Sequence, residues 1–290
     1  MKLRLSTIAG VIAGLFLTTS LFGQAQITTK KEKIKDFKTK VTKVVLTGDA
    51  VFDEVLQDCV SSSWTVSPYE FCSRADFDGL KANPAFYFLI VTKEQYKNEE
   101  VPGIESLSLI KGGEGADKTI SDMIQLTSFP LRSAIEPSGR EMVVLPVMIK
   151  AIQEQALEVT SSEVKAYTST LSVSPKTFAR LWNKQIHFSK DDIAPQVSAK
   201  VLGSLDPDIF IESDSETADQ IFEDCDYNAV ISYVVAPAEP VNGSMCYKML
   251  VGADTQELYY FRKHRITATK GSGFLSSDLK LISKVRKKKN

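Results

Sequence analysis

Histidine is almost missing from this chain: His187 and His264 are the two that occur in 290 residues. With no HExxH and no paired CxxC, the zinc frameworks that use such residues are excluded. Cysteine is sparse as well. Cys59, Cys72, Cys225 and Cys246 are too few to build a disulfide scaffold, although an exported chain permits them as staples on an existing core. Cys59 falls late in a helix and Cys72 at the far end of the next strand, which spans roughly 26 Å from Trp64, so a bridge within that unit is too long. Pairing between modules stays open, with buried free thiols the favoured reading. Beyond the first residues no apolar run is long enough for a transmembrane helix. Charge of one sign is lacking too. A formal net charge of -1 gives no global attraction to nucleic acid or to a membrane. Acidic residues are scattered, with no pair suited to glycoside hydrolysis. No cofactor and no metal is expected.

What is present begins with a leader. Lys2 and Arg4 precede the apolar run IAGVIAGLFLTTSLF, and Gly23-Gln24-Ala25 supplies the small residues of a cleavage site, so residues 1–25 read as a signal peptide. No cysteine follows the cut, which argues against a lipid anchor. The expected location is periplasmic or secreted.

The remaining chain reads as an internal duplication. VVLTGDAVFD, from residue 44, aligns with IHFSKDDIAP, from residue 186. In each, a short apolar strand is followed by Thr or Ser and then Asp, the residues that cap the orphan amides of a helix. Helices are expected over 51–62 and 193–204. Pro68 and Pro207 each precede a second strand, and short helices open at Ser73 and near Ser213. AFYFLIVT and NAVISYVVA are continuous apolar runs, typical of strands buried on both faces. Two further strands and a helix close each copy, and the first closing helix, over 138–159, carries Pro146 near its opening turns.

The fold class expected is α+β: two related β-α-β-α-β-β-β-α modules in tandem, each a mixed sheet with helices on one face. The divisions are a lysine-rich lead segment (26–42), a first module with its long closing helix (43–170), a connector (171–183), a second module (184–283) and a basic tail (284–290). The lysine-rich ends read as solvated segments.

This order of elements resembles the exported α+β modules of the TolB amino-terminal domain and of the curli-secretion protein CsgG. LVGADTQELYYF, residues 250–261, is similar to the "DxxTGE"-like hairpin turn of those families, with Asp254, Thr255 and Glu257 in the analogous places. The first copy departs from it, reading IKGGEGADKTISD. The resemblance implies a role in envelope assembly or protein contact, without an active site. The leader ending GQAQ also resembles those of exported Bacteroidota proteins.

Few residues suggest chemistry. GGEGADKT, residues 112–119, is one residue from a phosphate-binding loop, but Asp117 stands where that loop needs glycine, and a hairpin turn is the better reading. Asn242-Gly243-Ser244 is likewise a turn before it is a glycosylation site. His187 and His264 align with apolar positions in the first copy, Val45 and Phe129, which favours packing over metal ligation. In the hairpin of 244–251 and 257–266, Cys246 is expected near Arg262, with His264 diagonal to it. Met245, Tyr247, Met249, Tyr259 and Phe261 would face the core, leaving Cys246, Lys248, Tyr260, Arg262 and His264 on an outer face. Lys248, Tyr260, Arg262 and His264 are therefore the candidate binding residues, and a thiol enzyme using Cys246 and His264 is the alternative. The functional expectation is an exported, non-enzymatic binding or envelope-assembly protein. Its partner would be an envelope protein or a small cell-surface ligand, docked on the outer face or in the groove between modules.

Overall fold

The computed structural model describes residues 30–168, 171–207 and 210–287, so the leader expected over 1–25 lies outside the described residues. The described residues open with a helical turn at 30–34 and a 3-10 turn at Phe37–Thr39. Then follow β1 (Val41–Val45), α1 (Ala50–Ser63), β2 (Tyr69–Cys72), α2 (Arg74–Leu80), β3 (Phe86–Glu94), β4 (Ile104–Lys111), β5 (Ile124–Ser133) and α3 (Arg140–Ser161). The short helices α4 (Glu163–Thr168) and α5 (Pro175–Ala179) lead into the second half. That half comprises β6 (Gln185–Ser189), α6 (Ala199–Leu202), β7 (Phe210–Ser213), α7 (Ser215–Glu223), β8 (Ala229–Val235), β9 (Met245–Gly252), β10 (Leu258–Arg265) and α8 (Ser276–Lys287).

The structure is mixed α+β with two five-stranded sheets, ordered β2-β1-β3-β4-β5 and β10-β9-β8-β6-β7. Read from the other edge, the second is β7-β6-β8-β9-β10, so the two modules share one topology. In each, the first strand runs parallel to both neighbours and the last three form an antiparallel meander. The ladders refine the internal alignment. Thr42 faces Tyr69 and Tyr87, and Ile186 faces Phe210 and Val230, so residue 42 corresponds to 186. The alignment of 44 on 186 was two residues out, a slip that keeps every side chain on its own face and so leaves no trace in the hydrophobic pattern. His187 then corresponds to Lys43, and His264, facing Cys246, corresponds to Arg132, facing Glu105. The apolar counterparts expected for the two histidines do not hold.

Local chemistry explains the element boundaries. Gly48, at φ 93°, turns the chain after β1, and the carboxylate of Asp53 accepts from the amides of Thr47 and Gly48 and from the Thr47 hydroxyl. Asp49 caps α1 through the amides of Val51 and Phe52, as the sequence suggested. Ser73 and Asp76 form a reciprocal capping box at α2. The second copy lacks the long first helix: of 193–204, Ala199–Leu202 alone is α-helical. Pro195 has no amide to donate and disfavours helix before it. Ile193 instead bridges to Phe274, and the Ala194 amide donates to the Phe274 carbonyl.

The faces of the first sheet are divided between helices. Val44, Tyr87, Leu89, Leu107 and Leu109 pack under α1 and α3. Val45, Phe88 and Ile90 face the other way and meet Phe77 of α2, so this shorter helix lies opposite the other two. α3 is also where the modules join. One continuous core includes its Val144, Met148 and Ile152 together with Phe222, Tyr233 and Met249 of the second module. The lead segment belongs to that core: Ile34 and Phe37 are fully buried, and Phe37 sits edge-on to Tyr87 with ring centroids 5.1 Å apart. The described part of the segment, residues 30–42, is therefore not a solvated tail.

Candidate functional site

The outer face of the second sheet carries the residues singled out in the sequence, with a different register and a cover. Cys246 faces His264 directly, and Lys248 faces Arg262, so the expected neighbour pair Cys246 and Arg262 is offset by one rung of that face. All of them stay on one side, as expected. α8 closes over that side: Cys246, Lys248 and Tyr260 are buried, while Arg262 is exposed and His264 half-buried. The Lys248 ammonium meets Asp278 of α8 at 2.5 Å, and the Tyr260 hydroxyl donates to the same carboxylate at 2.7 Å. Lys248 and Tyr260 therefore fasten the closing helix and offer no surface to a partner. The alternation of β9 and β10 revealed the shared face but held no information about what would cover it.

Nor does this face provide a nucleophile. Burial pushes the Cys246 thiol up to about 11, and the Gly273 amide, donating to its sulfur at 3.2 Å, offsets this in part. Burial lowers the His264 pKa, and its Nε2–H donates to the Gly271 carbonyl at 2.9 Å, leaving Nδ1 buried without a partner among the described residues. A neutral imidazole beside a protonated thiol is a packed pair. All four cysteines are free, Cys59, Cys72 and Cys246 buried and Cys225 exposed.

The turn between β9 and β10 is tied to Arg180 of the connector and to Lys184 just beyond it. Asp254 pairs with Lys184 at 3.1 Å and accepts from the Asn228 amide, and Glu257 pairs with Arg180 at 2.7 Å. The glycine-rich segment at 112–119 is a β4–β5 turn, with Gly113 and Gly115 at φ 97° and 84°. A Cβ on Gly115 would lie 2.2 Å from the Asp122 carbonyl oxygen, so backbone packing accounts for that glycine.

A concavity lies between the modules. On the α2 side of the first sheet, bordered by Arg74 at the start of that helix, a cleft of about 980 Å³ opens toward β9 and β10. Its floor follows from the alternation in ESLSLIK: Leu107 and Leu109 go to the core, while Ser106 and Ser108 take the opposite face. The Ser108 hydroxyl meets those of Thr92 at 2.8 Å and Ser128 at 2.9 Å, so three strands are linked by a hydroxyl ladder. Thr92 and Ser128 line the cleft.

The wall comes from the second module through Tyr247, Phe261 and Lys263. At the junction, Glu94 accepts from Tyr96 at 2.5 Å, from Tyr247 at 3.4 Å and from the Ser106 hydroxyl, and the two phenols meet at 2.6 Å. Burial and then the adjacent Glu94 raise the Tyr96 pKa, and burial raises Tyr247 to about 12, so both phenols stay protonated near neutrality. Tyr247 was expected in the core and proves to be shared between core and cleft. Among the described residues no cluster of three or more His, Cys, Asp or Glu could hold a metal ion, and no helix is long and apolar enough to cross a membrane.

Comparison with protein-family models, with curated proteins and with solved structures gave no match.

Proposed function

We propose that the chain is a non-enzymatic binding protein that acts after export, and that its ligand, or a segment of an envelope partner, enters the cleft between the modules. One observation carries the reading. A sheet face that α2 covers only in part, lined by hydroxyls where a fully buried face would carry leucines, is partly roofed by the second module to leave about 980 Å³ of accessible space. Clefts of that size at junctions between modules are a usual place for a ligand site. The likeness of residues 250–261 to the TolB and CsgG turn supports an envelope setting, as does the leader over 1–25. The rival, a thiol enzyme using Cys246 and His264, would need a thiolate that burial opposes.

Native mass spectrometry of the exported protein, isolated from producing cells, tests this. Wild type and the exposed-face variant Arg262→Ala should carry an added mass that Ser128→Trp, which fills the cleft, has lost. An unchanged melting temperature of Ser128→Trp would show that its fold persists. An adduct on all three proteins, or on none, counts against the cleft.

A further inference from the structure

We infer that the cleft takes an extended acidic peptide segment, which joins the second sheet as an added strand beside β10; this deepens the binding reading above and rests on it. The four sheet edges differ in how far they are protected. β2 and β7 are edge strands of four residues each. β5 is longer, but Pro130 has no amide to donate, and the Leu131 carbonyl already accepts from the Tyr233 hydroxyl at 2.5 Å. β10 has eight residues and no proline.

The ladder shows which backbone groups of β10 are free. The Ile266 amide donates to the Ser244 carbonyl at 2.7 Å, and the Ile266 carbonyl accepts from Gly243 at 2.9 Å, so both point to the β9 side. Directions alternate along an antiparallel strand. The backbone groups of Tyr260, Arg262 and His264 therefore turn toward β9, and those of Phe261, Lys263 and Arg265 turn away from it. None of the latter bonds to another described residue. An extended peptide offers amides and carbonyls with that same two-residue period. Phe261 and Lys263 line the cleft, so a strand paired with them turns one row of its side chains into it. Arg262 supplies neither a free backbone group nor a cleft-facing side chain.

Charge selects an acidic strand. Lys263 and Arg265 share the cleft side of β10, are exposed and form no ion pair among the described residues. Lys263 lies 5.9 Å from the Tyr247 ring centroid, and Arg265 donates to the Gly243 carbonyl at 3.2 Å. Across the cleft Arg74 is also exposed and without a carboxylate partner among the described residues, 5.1 Å from the Phe77 centroid. The carboxylates of the lining are engaged. Asp49 caps α1, Glu105 pairs with Arg132 at 2.8 Å, and Glu94 accepts from Tyr96 and Tyr247. Cations on an open edge bar a like strand, since β10 of a second copy would set cation against cation. The same row admits a strand that carries carboxylates at alternate positions.

Isothermal titration of the exported protein with a capped hexapeptide alternating glutamate and threonine tests the assignment. That peptide should bind, and its counterpart with glutamine for glutamate should bind at least about tenfold more weakly. Lys263→Gln should weaken the acidic peptide roughly threefold, the scale of one cross-strand charge pair. Lys280→Gln, on the exposed side of α8, should leave it unchanged. Two N-methylated forms probe the backbone, one methylated at every glutamate amide and the other at every threonine amide. Alternate amides of an added strand face β10, so one form should bind and the other should not. Equal behaviour of the two forms would overturn strand pairing. Equal binding of the glutamate and glutamine peptides would overturn the acidic class. Binding of no peptide would overturn this occupant, and the native mass measurement would then judge the cleft independently.

Discussion

Lys248 and Asp278 place opposite charges 2.5 Å apart with almost no exposure to water. Removing one partner of such a pair strands the other, so Lys248→Met should cost about 3–5 kcal/mol in urea unfolding. The pH dependence follows from Asp278. Burial pushes its pKa upward, but the bonds from Lys248, Tyr260 and the Leu275 amide outweigh this and hold it below the ordinary carboxylate range. A depressed folded pKa means that the contribution is complete above the unfolded value of about 4 and is lost as pH falls through the folded value. Asp278→Asn should therefore flatten the acid limb of a stability-against-pH curve; an unchanged limb would show that the pair contributes nothing. At the same scale, a thiol reagent near neutral pH should modify Cys225 in the folded protein and spare the other three cysteines. Burial raises Cys59 and Cys246 to about 11 and raises Cys72 as well. Rapid modification of Cys246 would revive the enzymatic reading.

At the scale of elements, the lead segment and α8 show how far a sequence can be read. Ile34 and Phe37 lie three residues apart, a helical spacing, yet they sit among lysines whose number dominates the composition of the segment. Their burial depends on a slot beside Tyr87 that exists only after the sheet has formed. Phe37→Ala should cost about 3–5 kcal/mol in chemical unfolding, as for other fully buried aromatics, whereas a solvated tail would lose almost nothing. The strands and the two long helices were legible because alternation, continuous apolar runs and capping residues are local signals. The helix expected over 193–204 was not realised because Pro195 outweighed a loosely matched periodicity. The outer face of β9 and β10 was legible as a face and illegible as a surface, since its cover arrives from a helix later in the chain.

At the scale of the whole molecule, the junction of the modules rests on Arg140 at the start of α3. Its guanidinium donates to Asp219 at 2.9 Å, to Asp192 at 3.2 Å and to the Ser232 carbonyl at 2.9 Å, all in the second module. Arg140→Met would leave two desolvated carboxylates, a loss of about 3–5 kcal/mol. Burial already raises the pKa of Asp192 and Asp219, and removing the cation would raise them further. Groups with raised carboxylate pKa favour the folded state less as pH rises above their unfolded value, so the deficit of Arg140→Met should deepen from acidic toward neutral pH in calorimetry. No local sequence pattern announces this junction, or the cleft beside it, because both join residues far apart in the chain, from 52 positions for Arg140 and Asp192 to 153 for Glu94 and Tyr247. The serines of ESLSLIK were the available hint, a strand with one polar face and no helix assigned to cover it. The most direct test of the cleft is a photo-crosslinking amino acid placed at Ser128 and, separately, at Arg262 in cells that export the protein. A defined adduct from position 128 and none from 262 is the expected result. Adducts from 262 with none from 128 would move binding to the outer face of the second sheet and contradict the account.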